Sequence, residues 1–471
     1  MRRPNILIFY TDQQRWDTVG ANGNCEIRTP NLDGLAASGV TFTHHFVQNP
    51  VCMPSRISML SGRYPSSLGI THMGVPAPPA LLTLPRMLQP YGYRRANIGK
   101  LHFLPHANRD HRIPHPDYGF DHLEIADEPG VYEDAYRAWV RQRAPQQLDN
   151  ISAGIPPATR IWYQTMGIED SVAHRGDPEG RFDFAGGIPF AADDDLTHSA
   201  FVAEQTIDYI RRQDKQPFLC IAGFYSPHAP WIVPQKYLDL YDPERLSLPD
   251  FPPDIDRGRP LEPGVQFSDG HLRRAKQGYY AMISEVDDCI GRILDALDKT
   301  GQRDNTIVVF TSDHGEWLGA HLKFGKGYPA DDAVSRVPLI ISAPGGMPGQ
   351  RVDGIVEAVD IVPTLLSLAG IQTPPTLQGD SLSDAVMAGA QVTKQAALTE
   401  GAGWKCLRNR DYRYLIHSDG RERLWHIDTD PSEYRDVAGE PAHQSALARC
   451  RHQLLERLLQ MERPLARTWT Y

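Results

Sequence analysis

The stretch Asn5-Ile6-Leu7-Ile8-Phe9-Tyr10-Thr11 runs directly into Asp12-Gln13. Seven uncharged residues rich in branched and aromatic side chains are typical of a strand buried on both faces of a parallel sheet. The polar pair then lies at the carboxyl end of that strand. Ligands of open α/β sheets bind at this edge, so the stretch predicts both a fold class and the place of a site.

Three more apolar runs end in acidic, basic or imidazole side chains. They are residues 93–98 before Gly99-Lys100-Leu101-His102, 218–224 before Ser226-Pro227-His228, and 306–311 before Asp313-His314. A further run covers 338–342, and helical patterns occupy 196–212 and 274–299. We therefore predict an α/β fold with a mostly parallel, mixed central sheet, helices on both faces, and one convergent polar site.

The pattern changes near residue 391. Short alternating segments predict strands at 404–407, 412–416 and 423–427, followed by a helix at about 441–461. We expect a catalytic α/β domain over residues 1–390 and a C-terminal α+β subdomain over residues 391–471.

Two polar features have plain structural interpretations. The Pro-, His- and Asp-rich stretch from 105 to 189 has weak periodicity and predicts insertion loops. Four of its histidines fit no metal-ligand spacing and are interpreted as exposed loop residues; they are His106, His111, His115 and His122. Asp287 and Asp288 could be paired carboxylates, but a solvated helix face is favoured.

Charge and cysteine usage exclude several classes of protein. Lys and Arg number 48 against 58 Asp and Glu, a formal charge of −10, which disfavours nucleic acid as a partner. No apolar stretch reaches the roughly 18 residues of a membrane span. Six scattered cysteines without a C-x-x-C pair favour a reducing compartment. The apolar run after Met1 is short for a secretion signal, so we expect a cytoplasmic protein.

Cys52 lies in the most specific string of the chain, Val51-Cys52-Met53-Pro54-Ser55-Arg56-Ile57-Ser58-Met59-Leu60-Ser61-Gly62-Arg63. Pro54 suits the first turn of a helix and Gly62 its end. A cysteine at a helix N-terminus, with Arg56 one turn on, predicts a thiolate of lowered pKa. A small buried cysteine is the alternative.

The pattern C-x-P-S-R followed by L-x-G resembles the signature of the type I sulfatases of the alkaline phosphatase superfamily. The similarity extends over most of the chain, through Asp12, Gly99-Lys100-Leu101-His102, Ser226-Pro227-His228-Ala229-Pro230, Ser312-Asp313-His314-Gly315-Glu316 and Gly325-Lys326. In that family a maturation enzyme converts the cysteine to formylglycine, an aldehyde that stands hydrated as a geminal diol. The resemblance implies formylglycine at position 52 and that enzyme as a partner.

The resemblance also implies one divalent metal, held by Asp12, Gln13, Asp313, His314 and the converted Cys52. Most family members have two consecutive aspartates after the first strand, and many have Asn where this chain has His314. Nitrogen ligation moves metal preference toward Mn²⁺ or Zn²⁺. Ca²⁺ stays the favoured ion, with Mn²⁺, Mg²⁺ and Zn²⁺ as alternatives.

The remaining motif residues receive roles in the same way. Arg56, Lys100 and Lys326 would be fixed cations for the sulfate oxygens and the diol. His102 would take a proton from the second hydroxyl and so release sulfate. His228 would protonate the leaving alcohol.

The substrate class depends on weaker features. His72 and Trp231 are predicted pocket walls, with a structural role as the alternative for each. The leading interpretation is hydrolysis of small aryl or alkyl sulfate esters. The Asp-Gln and Asp-His pairs also resemble the branch that holds phosphonate monoester hydrolases and some choline or aryl sulfatases, which makes phosphonate monoester or phosphodiester hydrolysis the alternative. A catalytically silent anion-binding protein is a third, and homo-oligomerisation is left open.

Overall fold

The computed structural model of the chain describes residues 3–105, 113–154, 186–213, 216–258 and 267–462, with residues 161, 164, 165 and 167. Strands and helices are numbered along the chain. The strands of the central sheet are β1 Asn5–Thr11, β2 Val40–Phe46, β3 Arg94–Gly99, β4 His122–Ile125, β6 Phe218–Gly223, β8 Thr306–Ser312, β9 Leu339–Ser342 and β10 Gln350–Glu357. A short pair, β5 Ile188–Pro189 and β7 Ile232–Val233, lies outside it.

The central sheet has the order β10-β2-β9-β8-β1-β6-β3-β4. β1 pairs in parallel with β6 and β8, and β9 is antiparallel to β8 and β2. The register aligns Thr11 with Ser312 and Tyr10 with Gly223. The predicted mixed, mostly parallel sheet is confirmed, and the residues after β1, β6 and β8 emerge at one edge.

Helices cover both faces of the sheet, as predicted. One face carries α2 Cys52–Ser61, α3 Pro65–Leu68, α4 Leu84–Leu88, α10 Ile361–Leu368 and α11 Ser383–Ala388. The other carries α1 Pro30–Ser38, α5 Ala135–Arg143, α6 His198–Arg211 and α8 Asp269–Lys299. Short helices α7 Gln235–Leu238 and α9 Asp332–Ser335 lie in connections. Along β1, Ile6 and Ile8 pack toward the first face, Leu7 and Phe9 toward the second.

A second sheet follows near the C-terminus. It is antiparallel, with strands β11 Ala396–Gly401, β12 Trp404–Asn409, β13 Tyr412–His417 and β14 Glu422–His426, and α12 Gln444–Met461 packs on it. β11, with its Ala-Ala start, was not predicted because its sequence has low β-propensity. We place the subdomain boundary at residue 390, ahead of β11, as a proposal.

Arg413 of β13 joins this sheet to the rest of the protein. The guanidinium is fully buried and donates to Glu433 and to Asp332, the first residue of α9. A buried cation is tolerated only with partners of this kind. The pair of contacts therefore fixes α9 against the C-terminal sheet.

Two sequence predictions are wrong in part. Asp287 is fully buried and accepts hydrogen bonds from the backbone N–H groups of Asn31 (3.1 Å) and Leu32 (2.8 Å), so it caps α1 instead of facing solvent. The stretch 105–189 contains β4 and α5 as well as loops. His122 lies on β4, with Nε2 2.8 Å from Glu124, and His115 is half-buried. His106 and His111 lie outside the described residues.

Among the helices of the described residues, none has the length and apolar composition needed to cross a bilayer.

Candidate active site

Helix α2 presents Cys52 as its first residue. Val51 before it is extended, with φ −142°, and the helix ends at Gly62, whose φ of 64° is a left-handed conformation that glycine adopts without strain. All ten residues of α2 are buried. The predicted helix is present, and its N-terminal end meets the carboxyl ends of β1 and β8.

Four side chains from three elements converge there. Cys52 Sγ lies 3.1 Å from His314 Nε2 and 3.7 Å from Asp12 Oδ1, and His314 Nε2 lies 3.6 Å from Asp313 Oδ1. Donor atoms of all four residues lie within 4.8 Å of one another, and all four residues are buried. The structure therefore brings together the acidic, imidazole and thiol groups that follow β1, β8 and Val51.

Two buried cations pair with the carboxylates of this cluster. Arg56 Nε lies 2.7 Å from Asp313 Oδ2, with its NH2 group 3.5 Å from Asp12. Lys100 Nζ lies 2.7 Å from Asp12 Oδ2. Lys100, Lys326 and other cations hold the pKa of Asp12 well below its usual range despite burial. These cations thus keep the Asp12 carboxyl group ionised, and Arg56 holds Asp313 in a buried ion pair.

The prediction that Cys52 is a thiolate of lowered pKa is wrong for the unmodified residue. Burial, with Asp12 and Asp313 close by, raises the pKa of Cys52 to about 12 and outweighs Lys326 and Lys100. Arg56 does not offset this, because its guanidinium is already paired with the two carboxylates. The thiol is therefore protonated and a poor nucleophile as it stands.

Lys326 connects the cysteine to an imidazole. Its Nζ lies 2.7 Å from Cys52 Sγ and 2.8 Å from His228 Nε2. His228 Nδ1 lies 2.6 Å from the Ala229 carbonyl oxygen, so this nitrogen carries the ring proton and Nε2 accepts from Lys326. Burial and the Lys326 charge lower the pKa of His228. The pair forms a short proton path that ends beside Cys52.

The side-chain amide of Gln13 is oriented by the carboxyl group of Glu316. Gln13 Nε2 donates to Glu316 Oε2, and the backbone N–H of Gln13 donates to Asp313 Oδ1 at 3.0 Å. Gln13 Oε1 is buried and has no hydrogen-bond partner. Burial raises the pKa of Glu316 to about 7. The amide oxygen is therefore left open as a ligand, because the nitrogen is committed elsewhere.

The sulfatase family model matches residues 4–371, more than three-quarters of the chain. The chain belongs to the sulfatase family. A second model, the C-terminal part of N-sulphoglucosamine sulphohydrolase, matches residues 319–462 of this sulfatase and so covers the antiparallel sheet and α12.

Relatives of this sulfatase carry more than one activity in their names. An arylsulfatase of Clostridium perfringens is 29% identical, covering 97% of this chain and 94% of the relative. A multifunctional alkaline phosphatase superfamily protein of Trinickia caryophylli is 28% identical, covering 95% and 94%. The crystal structure of a phosphonate monoester hydrolase of Agrobacterium radiobacter superposes with a TM-score of 0.81, at 26% identity, covering 98% of this chain and 96% of that one.

The donors of this sulfatase suit a divalent cation. The carboxyl oxygens of Asp12 and Asp313 and the unpartnered amide oxygen of Gln13 are hard ligands. Burial lowers the pKa of His314, which keeps its ring neutral, as a ligand must be. Asp12, Gln13, Asp313 and His314 would hold the ion, with residue 52 beside them.

His102 is buried and close to this edge, in a strained loop. Its φ is 54°, and Asp127 Oδ1 accepts the N–H groups of Leu101 (2.8 Å) and His102 (2.9 Å). Its role in proton transfer stays a prediction. Asp127 and Glu316 are site-supporting residues that sequence reasoning missed. Asp127 follows β4 as Asp12 follows β1, so the same strand-end rule could have found it.

The two predicted pocket walls differ in placement. His72 is exposed, on a segment tied near Cys52 by a hydrogen bond from Asn49 Nδ2 to the Thr71 carbonyl at 3.0 Å. Trp231 is only 1% exposed and packs edge-on against Tyr279 and Phe324. Trp231 is therefore a core residue and has no surface to offer a substrate.

Proposed function

We propose that this sulfatase hydrolyses sulfate monoesters of small organic alcohols, using a formylglycine made from Cys52 and one divalent metal ion. The observation that carries the proposal is the surroundings of Cys52 Sγ, with His314 Nε2 at 3.1 Å and Lys326 Nζ at 2.7 Å. A nucleophile at this position has metal ligands and an ammonium group as neighbours. Such surroundings compensate the negative charge of an arriving sulfate.

When present, the metal would bring positive charge to the sulfate oxygens, and the hydrated formylglycine would supply one hydroxyl to attack sulfur and a second to release the product. The raised pKa of the unmodified thiol supports this assignment, since Cys52 alone is a weak nucleophile at neutral pH.

Residues of the chain itself prepare the site. Lys100 and Arg56 fix the orientation of Asp12 and Asp313 through contacts of 2.7 Å, and Lys100 also helps to hold Asp12 ionised. We assign both cations chiefly to this positioning and Lys326 to the substrate side. A water-poor, prearranged set of charges is the main source of rate acceleration in such sites.

The leaving group needs a proton, and the Lys326–His228 pair can deliver it. The ammonium of Lys326 donates to His228 Nε2, so a proton is stored between the two side chains. His228 is half-buried and accessible at this point. The departing alkoxide oxygen would take its proton from this pair, and solvent would return it.

For the metal, we propose Ca²⁺ as the favoured ion, with Mn²⁺, Mg²⁺ and Zn²⁺ as alternatives. Carboxylate and amide oxygens support Ca²⁺, while the His314 nitrogen supports the others. We also propose that maturation and turnover take place in the reducing cytoplasm. All six cysteines are free, which supports a reducing compartment.

Phosphonate monoester hydrolysis is the second candidate. It is supported by the TM-score of 0.81 and 26% identity to the Agrobacterium radiobacter enzyme. Phosphonate and sulfate esters share a tetrahedral, negatively charged centre, so one set of cations can serve both.

The deciding experiment compares three esters of 4-nitrophenol on protein coexpressed with a formylglycine-generating enzyme: the sulfate, the phenylphosphonate and the phosphate. We expect kcat/KM to be highest for the sulfate and lowest for the phosphate. An advantage of about tenfold for the phosphonate, about 1.4 kcal/mol in the transition state, would make the second candidate the function.

A further inference from the structure

Segments from three parts of the chain are anchored just ahead of Cys52. Asn49 Nδ2 donates to the carbonyl oxygens of Thr71 at 3.0 Å and Glu400 at 2.7 Å. The N–H of Gly327 donates to the carbonyl of Pro50 at 3.1 Å. These anchors lie two and three residues before the nucleophile. The residues that follow Thr71, Glu400 and Gly327 therefore lie near the segment that leads into Cys52.

Two of these segments bring aromatic rings together. Tyr328 follows Gly327, and Trp404 begins β12, directly across from His417 of β13. Tyr328 packs edge-on against Trp404, with ring centroids 5.7 Å apart, and against His417 at 5.1 Å. The hydroxyl of Tyr328 lies 2.7 Å from His417 Nε2. We call Tyr328, Trp404 and His417 the aromatic cluster.

The aromatic cluster is held in place by the packing of Trp404 on its neighbours. Trp404 packs against a small apolar core that includes Cys406 and Trp425. A side chain at Gly401 would place its Cβ 2.5 Å from the indole, so glycine there lets the ring lie on the backbone. Tyr328 nevertheless keeps 37% of its surface exposed. Rings fixed before a ligand arrives lose little conformational entropy on binding.

The cluster also lies close to the chemistry. Gly327, the neighbour of Tyr328, donates its N–H to the carbonyl of Pro50, two residues before Cys52. None of the three side chains has a part in the proposed chemistry. A partly exposed, prearranged set of rings beside the segment that leads into Cys52 suits the organic part of an ester.

We infer that the aromatic cluster is the leaving-group subsite of the enzyme and that it takes a flat aromatic group. The inference rests on the proposed ester hydrolysis and deepens it by naming aryl esters as the substrate class. Edge-on and offset contacts between rings contribute beyond the buried area, which favours an aryl group over an alkyl chain of equal size.

The test compares Tyr328→Ala and Trp404→Ala with the parent enzyme in coexpressed, matured protein. Substrates are 4-nitrophenyl sulfate, ethyl sulfate and glucose 6-sulfate. We expect the ratio of kcat/KM for the aryl over the ethyl ester to fall about tenfold, through KM more than kcat. The matched control is Tyr412→Ala, because Tyr412 stacks on His426 at the opposite end of the same sheet, with centroids 4.7 Å apart. It should leave the ratio unchanged.

Binding without turnover separates this inference from the proposed function. In a Cys52→Ala background, calorimetry with 4-nitrophenyl sulfate should give a Kd about tenfold higher after Tyr328→Ala, whereas the Kd of inorganic sulfate should not move. Equal losses for aryl, ethyl and glucose esters, or equal Kd values with and without Tyr328, would overturn the aromatic subsite. Absence of all sulfatase activity in matured parent protein would instead overturn the proposed function and leave the binding result to decide the subsite.

Discussion

Gln13 gives its amide nitrogen to Glu316 and keeps its amide oxygen free. Both side chains are buried, so the amide has no water to turn toward. Glu316 also accepts the N–H groups of Leu318 (3.0 Å) and Gly325, and so ties Gln13 to the loop that carries Lys326. One carboxyl group thereby orients a ligand and positions a cation.

The first prediction tests this orientation. Glu316→Ala should lower the affinity for the divalent ion by about 10- to 100-fold, because outer contacts of a ligand commonly have effects of this size. Titration against a fluorescent chelator measures it. Glu285→Gln serves as control, because the Glu285 carboxyl group is also buried but accepts hydrogen bonds from Thr197 and Ser199. Unchanged affinity after Glu316→Ala would show that the amide orients itself.

The second prediction concerns the nucleophile. Cys52→Ala should abolish turnover and leave the thermal midpoint within a few degrees, because it removes one atom from a site whose charges are otherwise paired. Cys52→Ser should turn over at most once, since a single hydroxyl cannot release the sulfate. Burst kinetics and differential scanning fluorimetry measure the two effects. Steady turnover by Cys52→Ala at the parent rate would rule out the mechanism.

Removal of the metal is the third prediction. We expect one tightly held divalent ion per chain by elemental analysis, loss of activity on dialysis against chelator, and recovery on adding the ion back. Lys100 and Lys326 lie at the cluster and leave little room for a second cation. Two tightly bound transition metals per chain would contradict this.

The fourth prediction is a pH dependence of stability at Glu285. Burial raises its pKa from 4.5 to about 7, although Thr197 and Ser199 donate to it. A carboxyl group with a raised pKa in the folded state favours folding in its protonated form. Its contribution is therefore fully present below pH 4.5 and is lost as the pH rises through about 7. The loss amounts to about 3 kcal/mol at most.

Urea unfolding at pH 5 and pH 8 tests it, with Glu285→Gln alongside. The variant should gain stability relative to the parent at pH 8 and lose that advantage at pH 5. Other ionisable groups contribute equally to both proteins and cancel in the difference. A constant difference between the two proteins across this range would refute the assignment.

The fifth prediction concerns Arg413. Arg413→Ala should lower the free energy of unfolding by about 3–5 kcal/mol, because it leaves Glu433 and Asp332 without their shared buried cation. Arg421→Ala, which removes an exposed pair with Asp419, should change it by less than about 1 kcal/mol. Similar losses of unfolding free energy in both variants would show that the buried contacts of Arg413 stabilise the protein no more than an exposed ion pair.

The fold and the site location could be predicted because both follow from local pattern. The apolar run before Asp12 is legible in the sequence, and parallel strands place their ends at one edge whatever their order. Contacts between distant segments could not be predicted. Asp287 caps a helix 256 positions away, so it does not lie on a solvated helix face as predicted. The charge of Arg56 is paired with Asp313, so it does not lower the pKa of Cys52. Trp231 was predicted from its neighbours in sequence, whereas tertiary packing placed it in the core.

The burial of α2 restricts when Cys52 is accessible to another enzyme. Every residue from Cys52 to Ser61 is enclosed, and the thiol itself is 1% exposed. An enzyme that modified Cys52 would need access to its side chain, which the folded protein does not offer. Under the proposed mechanism, Cys52 would therefore be converted during synthesis of the chain or before the fold closes. Copies that folded first would then keep an unmodified, inactive Cys52, and the yield of active protein would depend on the relative rates of modification and folding.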